Sequence, residues 1–413
     1  MSDLNGGPLA GIRVLELGSS VAGPFCGRLL ADFGAEVIKV EPASGDTVRS
    51  MGKRLHGKSL YAASILRNKR LIVLDLKSER GLELVRRLAD RCDILIENFR
   101  PGTLERLGLG PGQLSARNPR LVMVRISGFG QTGPYSGRAG YGVIGEALSG
   151  LRSLTGDPDR PPARIAASVT DEVAGLYGAF GAMMALWSRA CSGRGQVVDA
   201  TLLEAAFSLI EPHVPIYDKL GIIANRAGTR LPDSALNNTF LTRDERYIHI
   251  TAMGDVVFER LAQAIGQPQL AADERYRTLV ARSAHEQSLD EMVAAWVRER
   301  ALDDVVAILN RAGVPSAPIY TVADIFEDEH FAAREMLVRV PDDVFGSVAL
   351  PGVVPKLSAT PGAIKHAGHR VGEDTFDVLS DVLELTREQI ESLARDGVVA
   401  SAHASGNEAG EER

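Results

Sequence analysis

A chain of 413 residues is longer than one hydrophobic core usually organises, which predicts two domains, or one large domain with an excursion. Its 45% hydrophobic and 24% charged residues are the balance of an ordinary globular protein, so disorder is not the default. The net charge of -7 leaves no domain-scale basic excess for nucleic acid, and three scattered cysteines make neither a disulfide framework nor a zinc site, which fits a reducing cytoplasm. The opening MSDLNGGPLAG lacks a basic segment before an apolar stretch, and no run approaches the roughly 20 apolar residues of a membrane span. Neither targeting nor membrane attachment is expected.

Residues 12–17 (IRVLEL) form a short apolar run, followed by a turn from Gly18 to Pro24, the helical stretch FCGRLLADFG and a second run, AEVIKVE, at 35–41. This order predicts a strand-turn-helix-strand unit. RLIVLDL at 70–76, the amphipathic SERGLELVRRLADR, CDILIEN at 92–98 and LVMVRIS at 121–127 continue the alternation. Alternating strands and helices predict an α/β fold with a parallel sheet covered on both faces. Residues 171–190 read as a long apolar helix in which Gly175, Gly178 and Gly181 permit close approach of another helix or a second subunit.

Loop-like sequence around Gly228, Pro232 and Asn237 marks a boundary. The expected division is a large domain over 1–225, a small α+β domain over 226–325, a return segment over 326–400 that completes the large domain, and a mobile tail over 401–413. Thr386 and Gln389 suit the start of the last helix.

In ELGSSVAGPFCGRLL, Gly18 and Gly23 flank a helix N-terminus, where free N–H groups favour an anion. The dinucleotide fingerprint G-x-G-x-x-G is absent, although Glu41 imitates its ribose-binding acid. Asp171 follows Ser168, Val169 and Thr170 at the mouth of the glycine-rich helix, where a carboxylate is commonly a cap. The chemical alternative is direct attack: a carboxylate with a reference pKa of about 3.9 is ionised at neutral pH and needs no activating base. The eight histidines show no metal spacing, and no G-x-S-x-G elbow occurs. Lys39, Lys69, Arg70, Lys77, Arg100, Arg106 and Arg138 follow or border strands, a pattern of solvated charges that also fits a polyphosphate at the carboxyl edge of a sheet.

Taken together, LAGIRVLELGSSVAGPFCGRLLADFGAEVIKVEP, NKRLIVLDLK, ILIENFRPGTLERLGL and SGRGQVVDATLLEA closely resemble the class III CoA-transferases, the CaiB/BaiF family that includes formyl-CoA transferase. The resemblance implies a Rossmann-like large domain and a smaller α+β domain in an interlocked homodimer. It also implies acyl-CoA and a small carboxylic acid as substrates, with no permanently bound cofactor. By position it makes Asp171 the nucleophile and gives Tyr141 a place beside it. CoA contacts are implied at Val21, Ala22, Leu74, Asp75, Leu76, Lys77, Asn98, Phe99, Arg100, Arg106 and Arg138.

Two departures bear on the acid. Val21 stands where formyl-CoA transferase carries a glutamine, and its four-glycine loop has no counterpart near GTRLPDSALNN, so oxalate is a poor fit and a larger acid, with succinate as donor, a better one. Racemases of the same superfamily need a histidine where this chain has Tyr141, and a phenol of reference pKa about 10 is a poor base at neutral pH. A CoA-transferase is therefore the expectation. A racemase, a CoA-binding scaffold and a nicotinamide oxidoreductase are the alternatives.

Overall fold

The computed structural model describes residues 6–401, so the tail expected from 401 lies, apart from Ser401, outside the described residues. Two compact units emerge. The larger contains the described residues up to 151, together with 165–219 and those from 331 onward, and the smaller contains 152–164 and 220–330.

The larger unit is built on β1 (Arg13–Glu16), β2 (Glu36–Glu41), β3 (Lys69–Leu74), β4 (Ile94–Glu97), β5 (Val122–Ser127) and β6 (Val197–Thr201). These strands are parallel and lie in the order 3-2-1-4-5-6, with the short strand Val399–Ala400 added antiparallel outside β3. This is the order of a doubly wound, Rossmann-like sheet. Strand alternation sends Leu15, Ile38, Ile72 and Leu95 into one core and Val14, Val37, Ile94 and Val124 into the other. Helix α1 (Ala22–Asp32) covers the second face, and α2 (Glu79–Asp90) covers the first through Leu82, Val85 and Leu88. Near the C-terminus, Thr386 and Gln389 form the capping box that their spacing predicts.

Helices α3 (Gly142–Leu148) and α4 (Val169–Ser192) come between β5 and β6. The predicted close approach of α4 is to α1 and the sheet. A methyl at Gly175 would lie 2.7 Å from the Ala22 carbonyl oxygen, and one at Gly181 would lie 2.5 Å from Val198 Cγ1. The opposite face of α4 leaves Leu176, Tyr177, Phe180, Met184 and Trp187 exposed.

In the smaller unit, strands Asn237–Leu241, Tyr247–Thr251 and Ser316–Pro318 form an antiparallel sheet with Tyr247–Thr251 in the centre. Phe240, Ile248 and Ile250 pack with Phe258, Leu261, Val293, Trp296 and Leu309 of its helices into a separate core. No helix among the described residues is long and apolar enough to cross a membrane.

Candidate functional site

Strand order reverses between β1 and β4: the chain proceeds from β1 to β2 on one side and from β4 to β5 on the other. Such a reversal opens a crevice at the carboxyl ends of the strands. A cleft of roughly 230 Å³ occupies it. Ser19, Ser20, Val21 and Ala22 line the cleft after β1, Asn98, Phe99, Arg100 and Pro101 after β4, and Ile126, Ser127 and Gly128 at the end of β5. Ser136, Arg138, Ala139, Gly140, Tyr141, Asp171 and Leu202 complete the lining.

Eight of the thirteen residues singled out in the sequence thus meet in one cavity: Val21, Ala22, Asn98, Phe99, Arg100, Arg138, Tyr141 and Asp171. The other five lie outside its lining. Leu74 is buried in the core at the end of β3, and Leu76 packs against that core. The Asp75 carboxylate accepts the Lys77 N–H at 3.0 Å, and the Lys77 side chain is exposed. Arg106, also exposed, donates to Thr103 Oγ1 at 3.0 Å. The serines at 19, 20, 127 and 136 were missed. Three of them follow or end strands on either side of the reversal, and that position was the available signal.

Asp171 is in the first turn of α4, whose N-cap is Ser168, so it is not the cap residue. Its carboxylate lies against Gly142 at the start of α3: a methyl there would stand 2.1 Å from Asp171 Oδ2, so the absence of a side chain at 142 makes room for the acid. The helix N-terminus favours negative charge at this position. Nearby, burial raises the Tyr61 phenol above its usual range, a hydrogen bond to Ser168 offsets part of that, and the Glu172 and Asp171 carboxylates act with burial. Glu172 is likewise raised by burial, with Arg28 opposing. Tyr141 is 73% exposed at the rim, and Arg138 stacks its guanidinium 4.3 Å from the centre of the Tyr135 ring.

Several strand-border charges prove to be structural. Lys39 and Lys69 are fully buried, Glu41 accepts from Arg49 Nε and Nη2 at 2.8 and 2.7 Å, and Arg70 pairs with Glu36 at 2.8 Å. Neither the phosphate-facing reading of these cations nor the ribose-binding reading of Glu41 fits that arrangement. The Glu16 carboxylate, also fully buried, fills the space over Gly27, where a methyl would fall 1.8 Å from Oε2. Phe99 is held by its N–H, which donates to Glu97 Oε2 at 2.8 Å, while Glu97 Oε1 accepts from Arg125 at 2.7 Å.

Residues 9–375 match the profile described as CoA-transferase family III. The chain is 46% identical over 394 residues to a succinyl-CoA--D-citramalate CoA-transferase of Chloroflexus aurantiacus, covering 95% of this chain and 98% of that one. It is 39% identical to the beta subunit of a succinyl-CoA--L-malate CoA-transferase of the same organism, over 95% and 98% of the two chains. A mouse succinyl-CoA:glutarate CoA-transferase is 33% identical over 95% and 90%. Among solved structures, a CaiB/BaiF family protein from Brucella suis superposes with a TM-score of 0.82 at 35% identity, over 92% of this chain and all of that one. A profile match across most of the chain, joined to that superposition, is decisive: this protein belongs to CoA-transferase family III and is a CoA-transferase acting on CoA thioesters.

Proposed function

We propose that this enzyme moves CoA from succinyl-CoA to a small hydroxylated or branched dicarboxylic acid, with Asp171 as the covalent carrier. The observation that carries the reading is the Asp171 carboxylate entering the cleft at the reversal point, in space left by Gly142. The more similar relatives named above, which pair succinyl-CoA with citramalate and malate, support the hydroxylated class, and the glutarate enzyme supports a dicarboxylic acid more broadly.

In this mechanism an Asp171 oxygen attacks the thioester carbonyl of the donor, the C–S bond breaks, and CoA leaves as thiolate. The mixed anhydride so formed is opened at the aspartyl carbonyl by that thiolate, which releases succinate and leaves an aspartyl-CoA thioester. The acceptor carboxylate then attacks the same carbonyl and expels the thiolate again. Finally the thiolate attacks the acceptor's own carbonyl, which gives the new acyl-CoA and restores the carboxylate. One thioester replaces another at every turn, and the protein's task is to position the partners and exclude water. The backbone around Val21 and Ala22, with Asn98, Phe99, Arg100 and Arg138, forms the CoA-facing wall in this reading. Tyr141 orients the acid by hydrogen bonding. No resident cofactor or metal takes part.

The assembly we propose is a homodimer, interlocked as the resemblance implies. Its support is the exposed apolar face of α4, where Phe180 and Trp187 are 57% and 75% exposed. Sedimentation at twice the chain mass is expected. We place the enzyme in the cytoplasm, which suits three unpaired cysteines, two of them buried.

Asp171→Ala is expected to lower transfer by about a thousandfold or more while CoA still binds. Hydroxylamine added during turnover should convert Asp171 to a hydroxamate found by peptide mass spectrometry. Full turnover by the alanine variant would end this reading.

A further inference from the structure

The first wall of the cleft contains a strained residue. Ser20 has φ +67°, in the left-handed region that a non-glycine residue enters only when its surroundings hold it there. Asp46, which does not line the cleft, supplies that hold. Its Oδ1 accepts the Ser20 N–H at 2.9 Å and the Val48 N–H at 2.8 Å. Thr47 adds a hydroxyl contact of 2.7 Å to Ser20 Oγ and one of 3.1 Å to Ser19 Oγ. From the other side the Asn98 amide clasps Ser19, accepting its N–H at 2.7 Å and donating to its carbonyl at 2.8 Å.

Behind Asp46 stands the fully buried Lys39, whose ammonium lies 2.7 Å from Asp46 Oδ2, 3.2 Å from Glu16 Oε1 and 2.5 Å from the carbonyl oxygen of Gly18. One cation therefore ties the carboxylate that holds Ser20 to the backbone two residues before it. Burial works against charge on both partners, yet mutual attraction prevails: Glu16 and Asp46 hold the Lys39 ammonium above its usual range, and Lys39 holds the Asp46 carboxyl below its own.

We infer that Asp46, backed by Lys39, is a positioning residue for CoA: it fixes the strained Ser20 turn so that the Val21 and Ala22 backbone meets the cofactor already in its bound conformation. The inference rests on the assignment of this cleft to CoA. Removing the hold lets Ser20 relax to negative φ, and the free enzyme must then reorder the turn on binding, which weakens affinity without touching the nucleophile.

The experiment is calorimetric titration of the full-length enzyme with CoA alone, run beside steady-state kinetics. Asp46→Ala should raise the CoA Kd and the donor KM together by about tenfold, with kcat at saturating donor within about threefold. Adding Ser20→Gly should recover part of that loss, because glycine enters the left-handed region without penalty. Thr47→Val, on the exposed side of the same contact, is the milder probe should Asp46→Ala fold poorly; about threefold is expected. A purely structural role predicts a lower Tm with unchanged CoA Kd in Thr47→Val and in whatever folded Asp46→Ala is recovered, and that result overturns the inference. Wild-type enzyme that binds no CoA would remove the parent assignment and this inference together. Turnover retained by Asp171→Ala would remove only the covalent mechanism.

Discussion

The two walls of the cleft are built on opposite principles. The wall after β1 and β4 is held from beneath by buried Glu16, Lys39 and Asp46 and by the Asn98 clasp. The facing wall, residues 128–141, is largely exposed. It is secured mainly at its base. Gly128 and Gly140 touch there, so that a methyl on Gly128 would stand 2.9 Å from Gly140 Cα, and the Gly130 and Gln131 N–H groups donate to Ser127 Oγ and Asp199 Oδ2, each at 2.9 Å. A wall pinned by buried ion pairs offers a fixed surface, whereas an exposed loop held at its base has fewer contacts to resist displacement.

Substitutions can break or sharpen this contrast, and the largest effect is expected where the two walls meet. Gly142→Ala would place a methyl 2.1 Å from Asp171 Oδ2 and displace the carboxylate. Turnover should fall about a hundredfold, with CoA Kd unchanged by calorimetry, since misplacing a reacting group costs rate before it costs affinity. Gly128→Val would wedge apart the base of the exposed wall; donor KM should rise about tenfold in steady-state assays while Tm moves little, because few buried contacts depend on that loop. Tyr135→Ala removes the ring under Arg138 and the edge contact to Phe129 at 5.9 Å, and should weaken CoA binding by about threefold, the worth of an exposed cation-ring contact.

The smallest effect lies at the outer edge of the fixed wall. The His369 carbonyl oxygen accepts from Arg49 at 3.1 Å, and the His369 ring donates to Asp374 at 2.9 Å. Burial alone would lower this histidine, but the bond to Asp374 and its charge raise it above the reference value of 6.5. A raised histidine stabilises the fold fully below the unfolded value, and that contribution disappears as pH rises through the folded one. His369→Gln should therefore cost at most about 1 kcal/mol near pH 5.5, shrinking towards zero above the raised value, as read by urea melts across pH.

How far the sequence foretold this molecule depended on the range of each interaction. Strands such as VIKVE were legible because alternation and bulk are local, and the turn after IRVLEL because glycine and proline are local too. The same strand hid the meaning of Lys39: a lysine in an apolar run reads as a surface charge until Glu16 on the neighbouring strand and Asp46 beyond the next turn are seen to enclose it. Asp171 read as a cap on spacing alone; its place in a cavity depends on Gly142, 29 residues earlier, and only the family resemblance pointed there. Leu74 and Arg106 were carried over by position, yet the cleft in this chain is lined without them.

Gly27 and Glu16 bear on how such a sequence can drift. Because the acid fills the place a β-carbon at 27 would occupy, Gly27 can gain a side chain only after Glu16 has shortened or gone, and that change strips Lys69 of the carboxylate 2.7 Å from its ammonium. Lys39 loses a partner 3.2 Å away in the same step, so the order of change is fixed: Glu16 must go before Gly27 can, and two buried ammonium groups are left to be compensated first.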